Sequence, residues 1–150
     1  MEVNDKVENI SGQSVDNVIN LDEFKGKKNI VLYFYPKDNT PGCTKEAMDF
    51  NANLSAFEAL DTLVIGVSID SINSHKKFIE NYELKFPLIS DVDKRLVSYF
   101  DVVKADSKRG SAKRTTFLID KNFTVRYVWR NVKVANHVQE VLNKIKELKL

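Results

Sequence analysis

The chain holds 150 residues, 43% hydrophobic and 29% charged, with a formal net charge of +2. That length and balance suit a chain that buries a core, and exclude the low-hydrophobicity, high-charge composition of a disordered one. The near-neutral charge gives no electrostatic ground for nucleic acid or a membrane surface as partner, and no stretch approaches the roughly 18 apolar residues of a membrane span.

Residues 1–28 are polar and weakly patterned, and read as an extra hairpin or loop ahead of the main fold. Their opening, MEVNDKVENISGQS, lacks the apolar stretch of a secretion signal. With a single cysteine no internal disulfide can form, so nothing points to an oxidising compartment. The expectation is one domain, 1–150, in the cytoplasm.

Asn29 to Tyr35 (NIVLYFY) is a short apolar run rich in β-branched and aromatic residues, as is Thr62 to Ile69 (TLVIGVSI). Both predict strands covered on two faces. Between them a helix is predicted from Thr40-Pro41, because Ala47, Phe50, Leu54 and Phe57 fall on one helical face. A second helix fits Ser71 to Tyr82, with Ile72, Phe78, Ile79 and Tyr82 apolar. Strand, helix, strand, helix in that order implies parallel strands joined by crossover helices.

Leu84 to Ala112 is less regular, with a short helix around Lys94 to Phe100 and a basic loop, KADSKRGSAKR. Thr115 to Ile119 predicts a strand, Asp120-Lys121-Asn122 a tight turn, and Thr124 to Arg130 the second arm of an antiparallel hairpin. Tyr127 and Trp129 are expected in the core. An amphipathic helix carrying Val134, Val138, Val141, Leu142, Ile145 and Leu148 closes the chain. The order βαβα, hairpin, α predicts an α/β, thioredoxin-like fold: a central mixed sheet flanked by helices.

Chemistry concentrates where the first long strand enters its helix. Thr40 is a good N-cap, its hydroxyl suited to accept from free backbone amides. Pro41 fits the first helical position, and Gly42 permits close approach to a ligand. Cys43 then lies in the first turn, where free N–H groups and the helix dipole favour an anion, and so the reactive thiolate. On spacing alone a buried structural cysteine competes with this reading.

Glu46 reads first as a residue favouring the helix start, and second as a partner for an arginine. His75 and His137 lack metal-ligand spacing and are expected in surface or structural roles, with no metal and no cofactor.

Pro36, Thr40 and Cys43 form a P-x-x-x-T-x-x-C motif, and the string VLYFYPKDNTPGCTKEA around it resembles the Q-type peroxiredoxins, also called bacterioferritin comigratory proteins. Arg114 to Asp120 (RTTFLID) is similar to a second stretch of that subfamily, and Ala135 to Leu142 resembles it more loosely. The resemblance runs from about Asn29 to the C-terminus.

It implies a thiol peroxidase acting on hydrogen peroxide and organic hydroperoxides. Cys43 would attack a peroxide oxygen and become a sulfenic acid. Thr40 would hydrogen-bond the peroxide, Arg114 would stabilise the thiolate and the leaving oxygen, and backbone amides near Gly42 and Cys43 would complete the oxyanion site. Pro36 would shield the thiolate from water.

Many Q-type members carry a resolving cysteine five residues after the first; here that position is Met48. With no other cysteine in the chain, the sulfenic acid would be cleared by an external thiol: a small thiol, a thioredoxin, a glutaredoxin or Cys43 of a second copy. The expected assembly is a monomer or weak homodimer. The entry segment VENISGQSVDNVINL and the residues before Arg114 also depart from the subfamily.

A thioredoxin-type oxidoreductase would need C-x-x-C and a proline before its third core strand, and neither is present. A peroxide sensor with little turnover remains as the second reading.

Overall fold

Seven strands form one mixed sheet in the computed structural model, which describes residues 1–150. The strands are β1 (Ser11–Gln13), β2 (Val18–Asn20), β3 (Asn29–Phe34), β4 (Thr62–Ser68), β5 (Leu88–Ser90), β6 (Thr115–Ile119) and β7 (Val125–Trp129). The helices are α1 (Pro41–Ala52), α2 (Leu54–Ala59), α3 (Ile72–Tyr82), α4 (Arg95–Tyr99) and α5 (His137–Glu147). Across the sheet the strands run β2-β1-β5-β4-β3-β6-β7.

β3, β4 and β5 pair in parallel, while β6 and β7 extend one side and β1 and β2 the other in antiparallel fashion. The architecture is the expected thioredoxin-like α/β fold, with β4 at its centre and β3 between β4 and β6.

Every residue of β3 is buried, and the two-residue period of a strand divides them between two core layers. Ile30, Leu32 and Phe34 point into one layer with Leu96, Phe100 and Phe117. Val31 and Tyr33, with Tyr35 just beyond the strand, point into the other with Phe50, Phe57, Phe78 and Val141. Each large apolar side chain buried this way contributes about 1.5–3 kcal/mol. Such burial on both faces explains why the run reads as continuously apolar.

The expected first helix is two. Asn53 Nδ2 donates to the Asp49 carbonyl at 2.8 Å, taking the acceptor that its own backbone amide would use in an unbroken helix. That amide bonds to Phe50 instead, and the chain restarts as α2.

β5 was not anticipated: three residues are too short for a periodic signal, yet they pair with β4 and receive β1. The N-terminal hairpin is well defined, and Val7 and Ile10 ahead of it are core residues.

α5 begins at His137, so Val134, expected in this helix, lies outside it. Tyr127 is 37% exposed rather than core, its ring covered by Lys144 Nζ at 4.4 Å from the centroid.

Candidate active site

β3 ends on the turn Tyr35–Thr40, and α1 begins immediately after it. Thr40 is the N-cap residue: its carbonyl accepts from Thr44 N at 2.9 Å. The expected side-chain cap is not made, because the Thr40 hydroxyl donates to the Lys37 carbonyl at 2.8 Å. That bond occupies the hydroxyl proton and leaves its oxygen lone pairs available. Pro41 takes the first helical position, as expected. The Gly42 and Cys43 amides donate to no group of the protein, so two N–H vectors converge at the head of the helix.

Cys43 is buried, 1% exposed, and belongs to the core layer of Tyr33, Ala47 and Phe50. Burial alone would fit a structural cysteine; its polar partner does not. Arg114, delivered from the loop just before β6, places Nη2 3.3 Å from Cys43 Sγ. The same guanidinium places Nη1 2.7 Å from Glu46 Oε1.

Gly42 makes this approach possible. A Cβ at that position would stand 3.1 Å from Arg114 Nη2. Pro36 and Arg114 line one cavity of about 510 Å³, with Lys104, Ala112, Lys113 and Val132 among its other walls.

Glu46 corrects the sequence reading. Rather than decorating the start of the helix, it is fully buried and paired with Arg114. Burial pushes its carboxyl up to about 7, and Arg114 opposes that rise. Its second oxygen, Oε2, has no hydrogen-bond partner in the protein, and neither has the buried Tyr33 hydroxyl. For Arg114, burial works against its charge, but Glu46 and Cys43 outweigh it and hold the guanidinium more firmly protonated.

Both histidines are buried. His137 Nε2 pairs with Thr116 Oγ1 at 2.8 Å, and burial followed by the nearby Arg114 charge lowers it to about 4. His75 belongs to a polar network that sequence reading did not find. Asp38 Oδ1 accepts from the Tyr35 hydroxyl at 2.6 Å; Asp38 Oδ2 accepts from Ser74 Oγ at 2.8 Å and faces His75 Nδ1 at 2.7 Å.

The ligating atoms of Asp38, Asp70 and His75 lie within 4.8 Å of one another, a separation a metal could bridge. Each is already engaged in hydrogen bonds within the protein. The available sequence signal was His75 itself, set in the apolar stripe Ile72, Phe78, Ile79 and Tyr82, where a polar residue needs a buried partner.

The AhpC/TSA family model matches residues 3–128. The Bacillus subtilis peroxiredoxin Bcp is 46% identical over 134 residues, covering 87% of this chain and 85% of the relative. A mutant of the Xylella fastidiosa PrxQ superposes with a TM-score of 0.93 at 38% identity, covering 100% of this chain and 98% of that one.

The Xanthomonas campestris bacterioferritin comigratory protein, studied for alkyl peroxide reduction in trapped intermediate/ligand complexes, superposes at 0.86 with 38% identity, covering 92% and 90%. A cysteine at a helix head, held by an arginine brought from the loop before β6, thus sits in a scaffold shared along nearly its whole length with these proteins. The chain belongs to the AhpC/TSA family, among its Q-type (Bcp) peroxiredoxins, and is a thiol-dependent peroxidase that carries one cysteine.

Proposed function

We propose that Cys43 is the residue oxidised by peroxide, and that Thr40, Arg114, Gly42 and Pro36 build its site. The observation that carries this reading is the Arg114 guanidinium at 3.3 Å from the only sulfur in the chain able to form a thiolate. Cys43 thiolate attacks the terminal oxygen of the hydroperoxide and the O–O bond breaks. The sulfur becomes a sulfenic acid, and the other oxygen leaves as hydroxide or alkoxide and takes a proton to give water or an alcohol.

The Thr40 hydroxyl, its proton directed to Lys37, accepts from the peroxide O–H. The Gly42 and Cys43 amides and Arg114 face the charge that moves from sulfur to oxygen. Pro36 covers the thiolate from the cavity side. The substrate class is hydrogen peroxide together with organic hydroperoxides; the alkyl peroxide chemistry of the Xanthomonas relative and the 510 Å³ cavity support the organic members.

Recycling goes through an external thiol, either a small thiol or a thioredoxin- or glutaredoxin-type protein. It condenses with the sulfenic acid to a mixed disulfide and water, and a second thiol then releases Cys43. Met48, 49% exposed on the opposite side of α1 from Cys43, supports this one-cysteine cycle because a thioether cannot form the disulfide. A reducing compartment such as the cytoplasm fits that dependence. The assembly we propose is a monomer or weak homodimer, because the residues named for the site can meet within one chain.

Steady-state peroxide consumption with dithiothreitol, glutathione or a thioredoxin system, beside Cys43→Ser, tests the reading. Turnover with at least one reductant, abolished by the substitution, is expected. A single stoichiometric oxidation that none of them reverses would instead favour the sensor.

A further inference from the structure

Two of the walls of the cavity lined by Pro36 and Arg114 come from segments with little regular structure, and Asn131 and Val132 complete it. One wall is the turn Tyr35–Thr40, which carries Pro36. The other is the ribbon of residues 102–114, closed by the Val103–Ala112 bridge and by bonds from Lys104 N to Ser111 O and from Lys113 N to Val102 O. Asn39 in the turn has φ +63°, a conformation that asparagine tolerates but that local preference does not enforce. Something must fix each wall, and one carboxylate reaches both.

Asp70 lies just beyond the end of β4 and is buried. Its Oδ2 accepts the Asp38 backbone N–H at 2.9 Å and the Ser68 hydroxyl at 2.7 Å. Its Oδ1 accepts from Arg109 Nη2 at 3.0 Å, and Arg109 stands in the ribbon. On the turn side the grip is doubled, because the Asp38 carboxylate is held by Tyr35, Ser74 and His75. His75 is fixed in turn by the Ile89 carbonyl, 3.1 Å from Nε2. A hydrogen-bonded chain therefore joins the turn to the ribbon.

A buried ionic network of this kind is weak evidence for stability, since apolar packing often serves as well. Its directional bonds do fix distances, and a misplacement of about 1 Å near reacting groups can cost on the order of 100-fold in rate.

We propose that Asp70 clamps the two walls together, through Asp38 and His75 on one side and Arg109 on the other, and that the clamp sets which hydroperoxides fit by size. This rests on Cys43 being the residue that peroxide oxidises. Asp70, Asp38, His75 and Arg109 are positioning residues and touch no reacting atom. Releasing Arg109 widens the mouth, which admits bulky hydroperoxides more readily while loosening the fit around the smallest one.

The test measures rate constants for oxidation of Cys43 by hydrogen peroxide and by cumene hydroperoxide, together with alkylation of Cys43 by iodoacetamide. Arg109 is 39% exposed, so Arg109→Ala keeps the fold. It is expected to raise the cumene-to-hydrogen-peroxide ratio about threefold or more, with alkylation changed less than about twofold. Arg109→Lys, which retains a cation for Asp70, should restore most of the parent ratio.

On the turn side, His75→Asn keeps a donor for Asp38 and His75→Gln one for Ile89, so Asn should resemble the parent more closely than Gln. An unchanged ratio in Arg109→Ala, or both peroxide rates and alkylation falling together, would overturn the clamp. Failure of either peroxide to oxidise Cys43 in the parent chain would overturn the reading of Cys43 first, and is recognised by its presence before any substitution.

Discussion

Arg114 meets Cys43 across 71 residues of chain, with Nη2 3.3 Å from Sγ. The opposite prong of the same guanidinium is held by the buried Glu46, so Cys43 and Glu46 fix its orientation from two sides. A planar fork suits that double engagement, and an ammonium does not.

Arg114→Lys keeps the charge and loses the fork. Oxidation of Cys43 by hydrogen peroxide is expected to slow about 100-fold, the usual cost of removing one preorganised donor from developing charge. Rapid-mixing kinetics on the reduced protein measure it. A fall of less than about threefold would show that charge alone suffices and that the bond to Cys43 is incidental.

Gly42→Ala tests the same contact without touching either partner. The new Cβ would stand 3.1 Å from Arg114 Nη2, close enough to displace the end of a flexible side chain and too mild to break the helix. Peroxide oxidation should slow roughly tenfold while Tm stays within about 4 °C of the parent, since alanine is a better helix former than glycine. A large Tm loss would mean that the neighbourhood cannot yield, and that Gly42 serves packing.

The strands β3 and β4, the head of α1 and the β6–β7 hairpin were legible because their signals are local: apolar runs, a Thr-Pro-Gly-Cys entry and an Asp-Lys-Asn turn. Pro36, Thr40, Cys43 and Arg114 stand out as candidates from two motifs, and Gly42 from its place before Cys43. What sequence reading misjudged depends on pairing at a distance. Glu46 looks like a helix-start residue until Arg114 arrives from 68 positions away. Asp38 and His75 lie 37 positions apart and give no joint signal. Asn53 breaks the helix through one side-chain bond that periodicity cannot register.

Met48 offers a gain-of-function test of the one-cysteine cycle. Excess peroxide without thiol should drive Cys43 in the parent chain to the sulfinic acid, about 32 Da heavier by intact mass. Met48→Cys places a thiol five residues on, about 140° around α1, so its disulfide requires the first turns to open. Under the same treatment the variant should lose about 2 Da and resist the heavier product. Sulfinic acid forming equally in both would show that α1 is too stable to unwind here.

Burial shifts Glu46 and His137 in opposite senses, while Arg114 acts to lower both. Burial, opposed by Arg114, raises Glu46 from 4.5 to about 7. The folded protein therefore keeps a proton that the unfolded chain has released, and stability falls as pH rises through that window. Burial and then Arg114 lower His137 from 6.5 to about 4. There the unfolded chain binds the extra proton, and stability falls as pH drops through the window. The two slopes overlap between about 4.5 and 6.5 and offset one another in the parent chain. Each substitution should expose the other slope. Relative to the parent, Glu46→Gln should gain stability as pH rises, and His137→Gln should lose it, each by up to about 1.4 kcal/mol per pH unit. Urea denaturation at three pH values across the window measures both differences. Slopes of the same sign in the two variants would mean that one of these groups keeps its ordinary titration in the folded protein.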